Sequence, residues 1–153
     1  MTLEIRRDDL TGAATRALVA THLEQVHAGS PPESVHAWGL HQLRDPAVQV
    51  WSAWQGEDLA GIGALARLDA TRGEIKSMRV ASAHLGTGIG RALLRHIIAA
   101  ARADGLSSLW LETGSADEFA AARSLYLSEG FVPCPPFGGY RDDPLSVFFT
   151  RAL

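Results

Sequence analysis

The stretch "HLGTGIGRALLRHIIAAARADG", from His84 to Gly105, decides the fold of this chain. It places glycines at positions 86, 88 and 90 and continues directly into an apolar helical pattern over about 88–104. Because a glycine inside a regular element costs roughly 0.5–1 kcal/mol, three at alternate positions indicate that another group comes very close to this backbone. The start of a helix carries unpaired N–H groups and a partial positive charge, which suit a pyrophosphate.

Two common phosphate-binding fingerprints do not fit these glycines. A Walker loop requires GxxxxGK[ST], and no Lys-Ser or Lys-Thr follows. The dinucleotide pattern GxGxxG places its last position on Arg91 or on Leu93, depending on the frame, so both frames fail. What remains is a strand, a short glycine loop and a helix. Because the glycines have no side chains, phosphates can reach the backbone amides of this loop.

Composition limits the class of protein. The 153 residues are enough for one domain, 1–153, with its own core, and 46% of them are hydrophobic. A net charge of −3 argues against nucleic acid as a partner.

The apolar runs are far shorter than the ~20 residues that cross a bilayer, and the first ten residues lack the apolar segment of a signal peptide. The single cysteine, Cys134, excludes an internal disulfide, so we expect a cytoplasmic protein. The histidines show no metal-binding spacing, so we expect no metal.

Periodicity predicts an alternation of strands and helices. The first strand covers 3–9, a helix follows over about 9–27, and a second helix begins near Ser30-Pro31-Pro32-Glu33 and ends at about Leu43. Further strands are expected at 47–55, 59–69, 74–81, 106–113, 131–134 and 146–153, and further helices at 88–104 and 117–129. A right-handed parallel crossover around 75–112, together with antiparallel hairpins, predicts an α+β fold with a mixed sheet and helices on both faces.

Two motifs resemble those of the GNAT-type N-acetyltransferases. "MRVASAHLGTGIGRALL" (78–94) is similar to the acetyl-CoA-binding motif [QR]-x-x-G-x-[GA], with Leu85 in place of the first Gln or Arg. "AARSLYLSEGFVPC" (121–134) resembles the signature A-x-x-L-Y-x-x-x-G-F, although Phe119 stands where the family often has Asn. The stretches "GEIKSMRV", "LETGS", "FGGYRDDP" and "SVHAW" together resemble a bacterial subgroup, the YsnE-like acetyltransferases.

The resemblance implies a fold and a reaction. The fold would be a mostly antiparallel sheet of about seven strands with about four helices, splayed between strands 4 and 5. The reaction would transfer acetyl from acetyl-CoA to a primary amine by direct attack in a ternary complex. The pantetheine arm would pair with the backbone of Met78 and Val80, and the pyrophosphate would bind the loop, with added charge from Arg91. The loop residues are Leu85, Gly86, Thr87, Gly88 and Gly90.

Three residues are candidates for proton transfer. The resemblance implies that Tyr126 is the general acid that protonates the departing thiolate, and the alternative is a buried helix tyrosine. Glu74 and Glu112 are candidate bases for the acceptor ammonium, and Glu74 could instead pair with Arg72 or Lys76. Strand alternation would place one set of side chains, Glu74, Lys76 and Met78, on one face of the sheet, and the other set, Ile75, Ser77 and Arg79, on the opposite face.

The acceptor pocket is expected between the first helices, the middle strands and the late loop. Its main candidates are His36, Trp38, Tyr140 and Arg141, and His41 and Trp54 are further ones. The aromatic rings could pack the acceptor, and the guanidinium of Arg141 or Arg44 could hold a carboxylate. Each could equally be an ordinary surface or core residue. We expect a small-molecule amine as acceptor. A non-catalytic acyl-CoA-binding module and a protein or peptide amine are the alternatives, and a homodimer formed through the C-terminal strand is an open option.

Overall fold

The computed structural model describes residues 2–29, 31 and 36–153. Its elements follow the predicted order: β1 Leu3–Arg7, α1 Ala13–Gly29, α2 Leu40–Leu43, β2 Val48–Gln55, β3 Asp58–Arg67, β4 Arg72–Val80, α3 Ile89–Ala103, β5 Ser108–Gly114, α4 Ala120–Ser128, β6 Val132–Cys134 and β7 Ser146–Ala152. Short 3-10 turns precede α3 and α4, at Ser82–His84 and Asp117–Phe119.

All the strands belong to one sheet in the order β1-β2-β3-β4-β5-β7-β6. The pair β4–β5 is parallel and the other pairs are antiparallel. β4 and β5 pair only from Arg72–Ser108 to Glu74–Trp110, so they separate beyond Glu74. This confirms the mixed sheet and the expected splay. The C-terminal strand β7 pairs with β5 along its whole length and with β6 at Phe148, Phe149 and Thr150.

Each face of the sheet has its own core, which confirms helices on both sides. On one face, α3 packs Leu93 and Ile97 against the sheet, and α4 adds Tyr126 to the same cluster. On the other face, Val19 of α1 and Leu43 of α2 pack with strand residues such as Ile62. We call these the α3 face and the α1 face.

The second helix is shorter than the sequence predicted. Its expected start at Ser30, Pro32 and Glu33 lies outside the described residues, and 36–39 are not helical. The helix begins at Leu40, since Gly39 is extended (φ −84°, ψ −178°) and its N–H donates to the side-chain oxygen of Gln42 at 2.8 Å. The longer helix was therefore wrong over 36–39.

A bulge in β4 changes which side chains share a face. Lys76 pairs with Ala64 and Arg79 with Ile62, so β4 has one residue more than β3 between these pairs. Ser77 lies in this bulge with φ +56°, in the left-handed region that a residue with a side chain rarely adopts.

Beyond the bulge, the predicted alternation is wrong. Met78 lies on the α3 face rather than with Glu74. Its Sδ and the Cδ1 of Ile97 both lie over Gly63, where an added Cβ would be 2.7 Å and 2.9 Å from them. Arg79 lies on the α1 face, where its Nε donates to His22 Nδ1 at 2.9 Å. Burial lowers the pKa of His22 to about 4, which keeps the imidazole neutral and able to accept this bond.

Candidate active site

A cavity opens on the α1 face beside the splayed strands. Its volume is about 370 Å³, and its lining is His36, Ala37, Trp38, Gln42, Glu74, Lys76, Gly139 and Tyr140. The fold thus brings together Glu74, His36, Trp38 and Tyr140, which sequence analysis had named from distant segments. Arg141 is exposed and does not line this cavity.

The floor of the cavity is a hydrogen-bonded group of three side chains. Lys76 Nζ donates to the hydroxyl of Tyr140 at 2.9 Å and lies 3.6 Å from the Glu74 carboxylate. The same Tyr140 hydroxyl donates to Glu74. Burial raises the pKa of Tyr140 far above its usual value, and the negative charge of Glu74 adds to the effect. The Glu74 carboxylate is therefore engaged by both neighbours.

The sequence suggested Lys76 only as a pairing partner of Glu74. Its place in the cavity lining could have been inferred from the spacing between Glu74 and Lys76, since residues two apart on a strand share a face. That rule holds here because the bulge comes after Lys76. Gln42 was missed, and nothing in the sequence singled it out.

Glu112 of β5 shares the electrostatic environment of the cavity. Ser146 Oγ donates to its carboxylate at 2.8 Å. Burial raises the pKa of Glu112, while this hydrogen bond and the nearby charges of His36 and Lys76 act in the opposite direction. A raised pKa makes the ionised carboxylate a stronger base than an exposed one.

Tyr126 lies on the opposite, α3 face of the sheet. Its ring packs against Phe131 and Phe149 at centroid distances of 5.8 and 6.2 Å, and the residue is 6% exposed. Burial raises the pKa of Tyr126 well above its ordinary value, and the charge of Glu112 raises it further. The phenol therefore keeps its proton at neutral pH, and its electrostatic coupling to Glu112 extends from one face of the sheet to the other.

The separation of β4 and β5 leaves one edge of β4 without a strand partner beyond Glu74 among the described residues. Met78 and Val80 lie on this segment. So does Ser77, whose Oγ is buried without a hydrogen-bond partner in the part of the chain that the structure describes. An orphaned hydroxyl and a free strand edge both fit a polar, extended ligand in the gap.

The glycine loop has the geometry of a backbone anion site. Gly86 and Gly88 have φ of +73° and +86°, and a Cβ at either position would meet open space. Gly88 caps α3, and no side-chain hydrogen bond occupies that end of the helix. Thr87 Oγ1 donates to the His84 carbonyl at 2.5 Å, and Leu85 is 65% exposed. The loop amides are therefore open to an anion.

Gly90 and Arg91 make contacts within the protein. A Cβ on Gly90 would lie 3.3 Å from Leu125 Cδ2, so this glycine permits close packing of α3 on α4. Arg91 donates to Glu129 Oε1 at 2.5 Å, and this bond holds the pKa of Glu129 below its usual value. The guanidinium is thus held toward the end of α4.

No helix in the described ranges is long and apolar enough to span a membrane. Within the same residues, no group of three or more His, Cys, Asp or Glu side chains is arranged to hold a metal ion.

Comparison with known proteins places these features in context. The family model described as acetyltransferase (GNAT) family matches residues 13–131. The uncharacterised N-acetyltransferase YsnE of Bacillus subtilis is 50% identical over 151 residues, covering 99% of this chain and 100% of YsnE. The uncharacterised N-acetyltransferase YedL of Escherichia coli is 49% identical over 149 residues, covering 97% of this chain and 94% of YedL.

Solved structures share the whole fold. A candidate acyl-CoA N-acyltransferase from Klebsiella pneumoniae superposes with a TM-score of 0.80 at 27% identity, covering 99% of this chain and 98% of that one. A GNAT acetyltransferase from Elizabethkingia anophelis, solved with acetyl-CoA bound, has a TM-score of 0.68 at 18% identity, covering 99% of this chain and 98% of that one.

Proposed function

The chain belongs to the GNAT family of acetyltransferases and is an acyltransferase, and on that premise we propose that it acetylates the primary amine of a small molecule. Acetyl-CoA supplies the activated acetyl group as a thioester. The cavity of about 370 Å³ supports a small acceptor, since pockets for such ligands measure roughly 300–1,000 Å³.

Acetyl-CoA would bind along the free edge of β4 and over the glycine loop. The pantetheine arm would run beside the backbone of Met78 and Val80, as an added strand does. The pyrophosphate would sit on the amides of 86–90, where Gly86 and Gly88 leave open space. Arg91 would contribute charge near the phosphates while held by Glu129.

The gap between β4 and β5 is the observation that carries the proposal. The acceptor cavity lies on the α1 face, Tyr126 lies on the α3 face, and the two strands separate between them beyond Glu74. A thioester in this gap would meet the amine from one side and the proton donor from the other. Both substrates would then be bound at once, which supports direct transfer.

The proton steps are assigned to two buried groups. The amine nitrogen attacks the thioester carbonyl carbon, the carbon–sulfur bond breaks, and Glu112 receives the proton that the nitrogen loses. Tyr126 gives its proton to the departing thiolate. The backbone N–H of Val80 would stabilise the oxyanion. We assign the base to Glu112 rather than Glu74, because Glu74 is already bound by Lys76 and Tyr140.

A panel of amines tests the function. The purified chain is incubated with acetyl-CoA and single amines, and free thiol and the mass of the product are measured. Thiol release with one class of small amine, and an acetylated product, is the expected result. Calorimetric binding of acetyl-CoA without release from any small amine would contradict it and favour a binding module or a protein acceptor.

A further inference from the structure

Lys76 is a buried cation whose charge the proposed proton steps do not use. The residue is 8% exposed. Its Nζ donates to the backbone carbonyl of His36 and to the Tyr140 hydroxyl, both at 2.9 Å. Its ion-pair partner, the Glu74 carboxylate, lies 3.6 Å away, which is longer than a hydrogen bond. Two of the three N–H groups of Lys76 thus bond to neutral oxygens.

The negative charge near Lys76 does not offset the cost of burying it. The Glu74 carboxylate near Lys76 also accepts a hydrogen bond from Tyr140. Burial lowers the pKa of Lys76 even though Glu74 and Glu112 act to raise it. An anion that enters the cavity would therefore be attracted to this ammonium, and a second cation beside it would be repelled.

Aromatic surfaces surround the same ammonium. The Trp38 ring centroid lies 4.6 Å from Lys76 Nζ. His36 contacts Tyr140 edge to face, with centroids 5.0 Å apart. The cavity thus offers apolar ring surface next to a buried ammonium whose carboxylate neighbour, Glu74, lies 3.6 Å away, a combination that suits an organic molecule with an anionic group.

We propose that the acceptor is an amine whose own molecule carries a carboxylate close to the amine, as an amino acid does, and that Lys76 binds this carboxylate. The inference rests on the proposed function and names the substrate class of that site. Lys76 then takes the role that sequence analysis gave to Arg141, which is exposed and outside the cavity lining. Binding of the carboxylate there directs the amine toward Glu112 and the gap.

A plain amine or a polyamine fits this floor less well. Its ammonium would have to enter beside Lys76, and Glu112 is the one nearby carboxylate of the described residues left to offset the repulsion. Glu74 alone does not remove the difficulty, because its carboxylate is already engaged by Lys76 and Tyr140. The carboxylate-bearing amine avoids it by bringing its own negative charge.

Matched pairs of amines test the inference. Each pair differs only in the carboxylate, for example phenylalanine with phenethylamine and leucine with 3-methylbutylamine. Thiol release gives kcat/KM for each member. We expect the acid to be preferred in at least one pair by about tenfold or more, since a hydrogen bond between charged groups is worth that factor. Lys76→Met should abolish the preference by raising KM for the acid, and Lys76→Arg, which keeps the charge, should retain part of it.

The possible outcomes distinguish a failure of this inference from a failure of the proposed function. Equal rates for the two members of every active pair, or faster reaction of the plain amine, would overturn the carboxylate inference alone. An unchanged preference in Lys76→Met would also overturn it, and turnover of the plain amine by that variant shows that it is folded. Acetylation of no amine, with or without a carboxylate, would overturn the proposed function and the inference together.

Discussion

At the scale of single residues, burial raises the pKa of two groups on opposite faces of the sheet. The pKa of Tyr126 is raised well above its usual value, so the phenol is protonated at neutral pH and can donate. The pKa of Glu112 is also raised, so its carboxylate binds a proton more readily than an exposed one. Burial thus strengthens Glu112 as a candidate base, whereas Tyr126 is a candidate acid because it still holds its proton at neutral pH.

Replacing Tyr126 with Phe tests the acid. The ring contacts with Phe131 and Phe149 would remain, so we expect little change in melting temperature. Loss of the proton donor should lower kcat by about 100-fold or more. Steady-state kinetics and calorimetry with acetyl-CoA measure both effects. A variant with full kcat would show that the tyrosine is only a packing residue.

The base is tested by the matched pair Glu112→Gln and Glu74→Gln. The base must be deprotonated, so the wild-type kcat/KM should rise with pH through the raised pKa of Glu112. Glu112→Gln should lower the rate and remove this acidic limb, whereas Glu74→Gln should keep the limb. The opposite result would assign the base to Glu74.

The variant Ser146→Ala gives a second test of how kcat/KM depends on pH. The Ser146 hydroxyl donates to the Glu112 carboxylate and so favours the charged form. Its removal should shift the acidic limb to higher pH while leaving a plateau. An unshifted limb would mean that another group titrates in the profile.

Residue types and motifs were enough to nominate much of this site, but not its internal contacts. Tyr126 was recognised from its motif, and His36, Trp38 and Tyr140 were named as candidates and lie together in the cavity lining. The hydrogen bond from Tyr140 to Glu74 joins positions 66 residues apart, so it depends on the tertiary fold. The buried position of Lys76 depends on the same long-range packing.

At the scale of the elements, the two ends of α3 provide a controlled comparison. Gly88 and Gly105 flank this helix with φ of +86° and +79°, and a Cβ at either meets open space. Substitution by Ala should cost each variant a similar amount of stability, about 1–2 kcal/mol, because both adopt the left-handed conformation.

Only Gly88→Ala should weaken acetyl-CoA binding, since only Gly88 lies in the proposed pyrophosphate site. Calorimetric Kd values and denaturation midpoints of the two variants separate affinity from stability. Equal loss of affinity in both variants would contradict the assignment of the loop.

The element order followed from periodicity and glycine stops, whereas the bulge in β4 did not. Strand alternation is a local rule, and it assigned Met78 and Arg79 to the wrong faces. The extra residue, Ser77, has φ +56° without being glycine, so no residue type marked it. The bulge is visible only in the pairing with β3, where two ladders of different register meet.

At the scale of the whole molecule, the splayed sheet separates the two proposed binding regions, and the gap between β4 and β5 connects them. The crossover from β4 through α3 to β5 was predictable from chain order, because two parallel neighbouring strands need a connection of this kind. The family resemblance implied a splay between strands 4 and 5, and the structure places its start beyond Glu74. This arrangement predicts that both substrates are bound when transfer occurs.

Initial-rate kinetics at varied concentrations of acetyl-CoA and an active amine test whether both substrates are bound during transfer. Reciprocal plots that intersect, with no acetyl group on the protein after incubation with acetyl-CoA alone, are the predicted result. Parallel lines, together with an acetylated protein that transfers its acetyl group when the amine is added, would contradict direct attack through the gap.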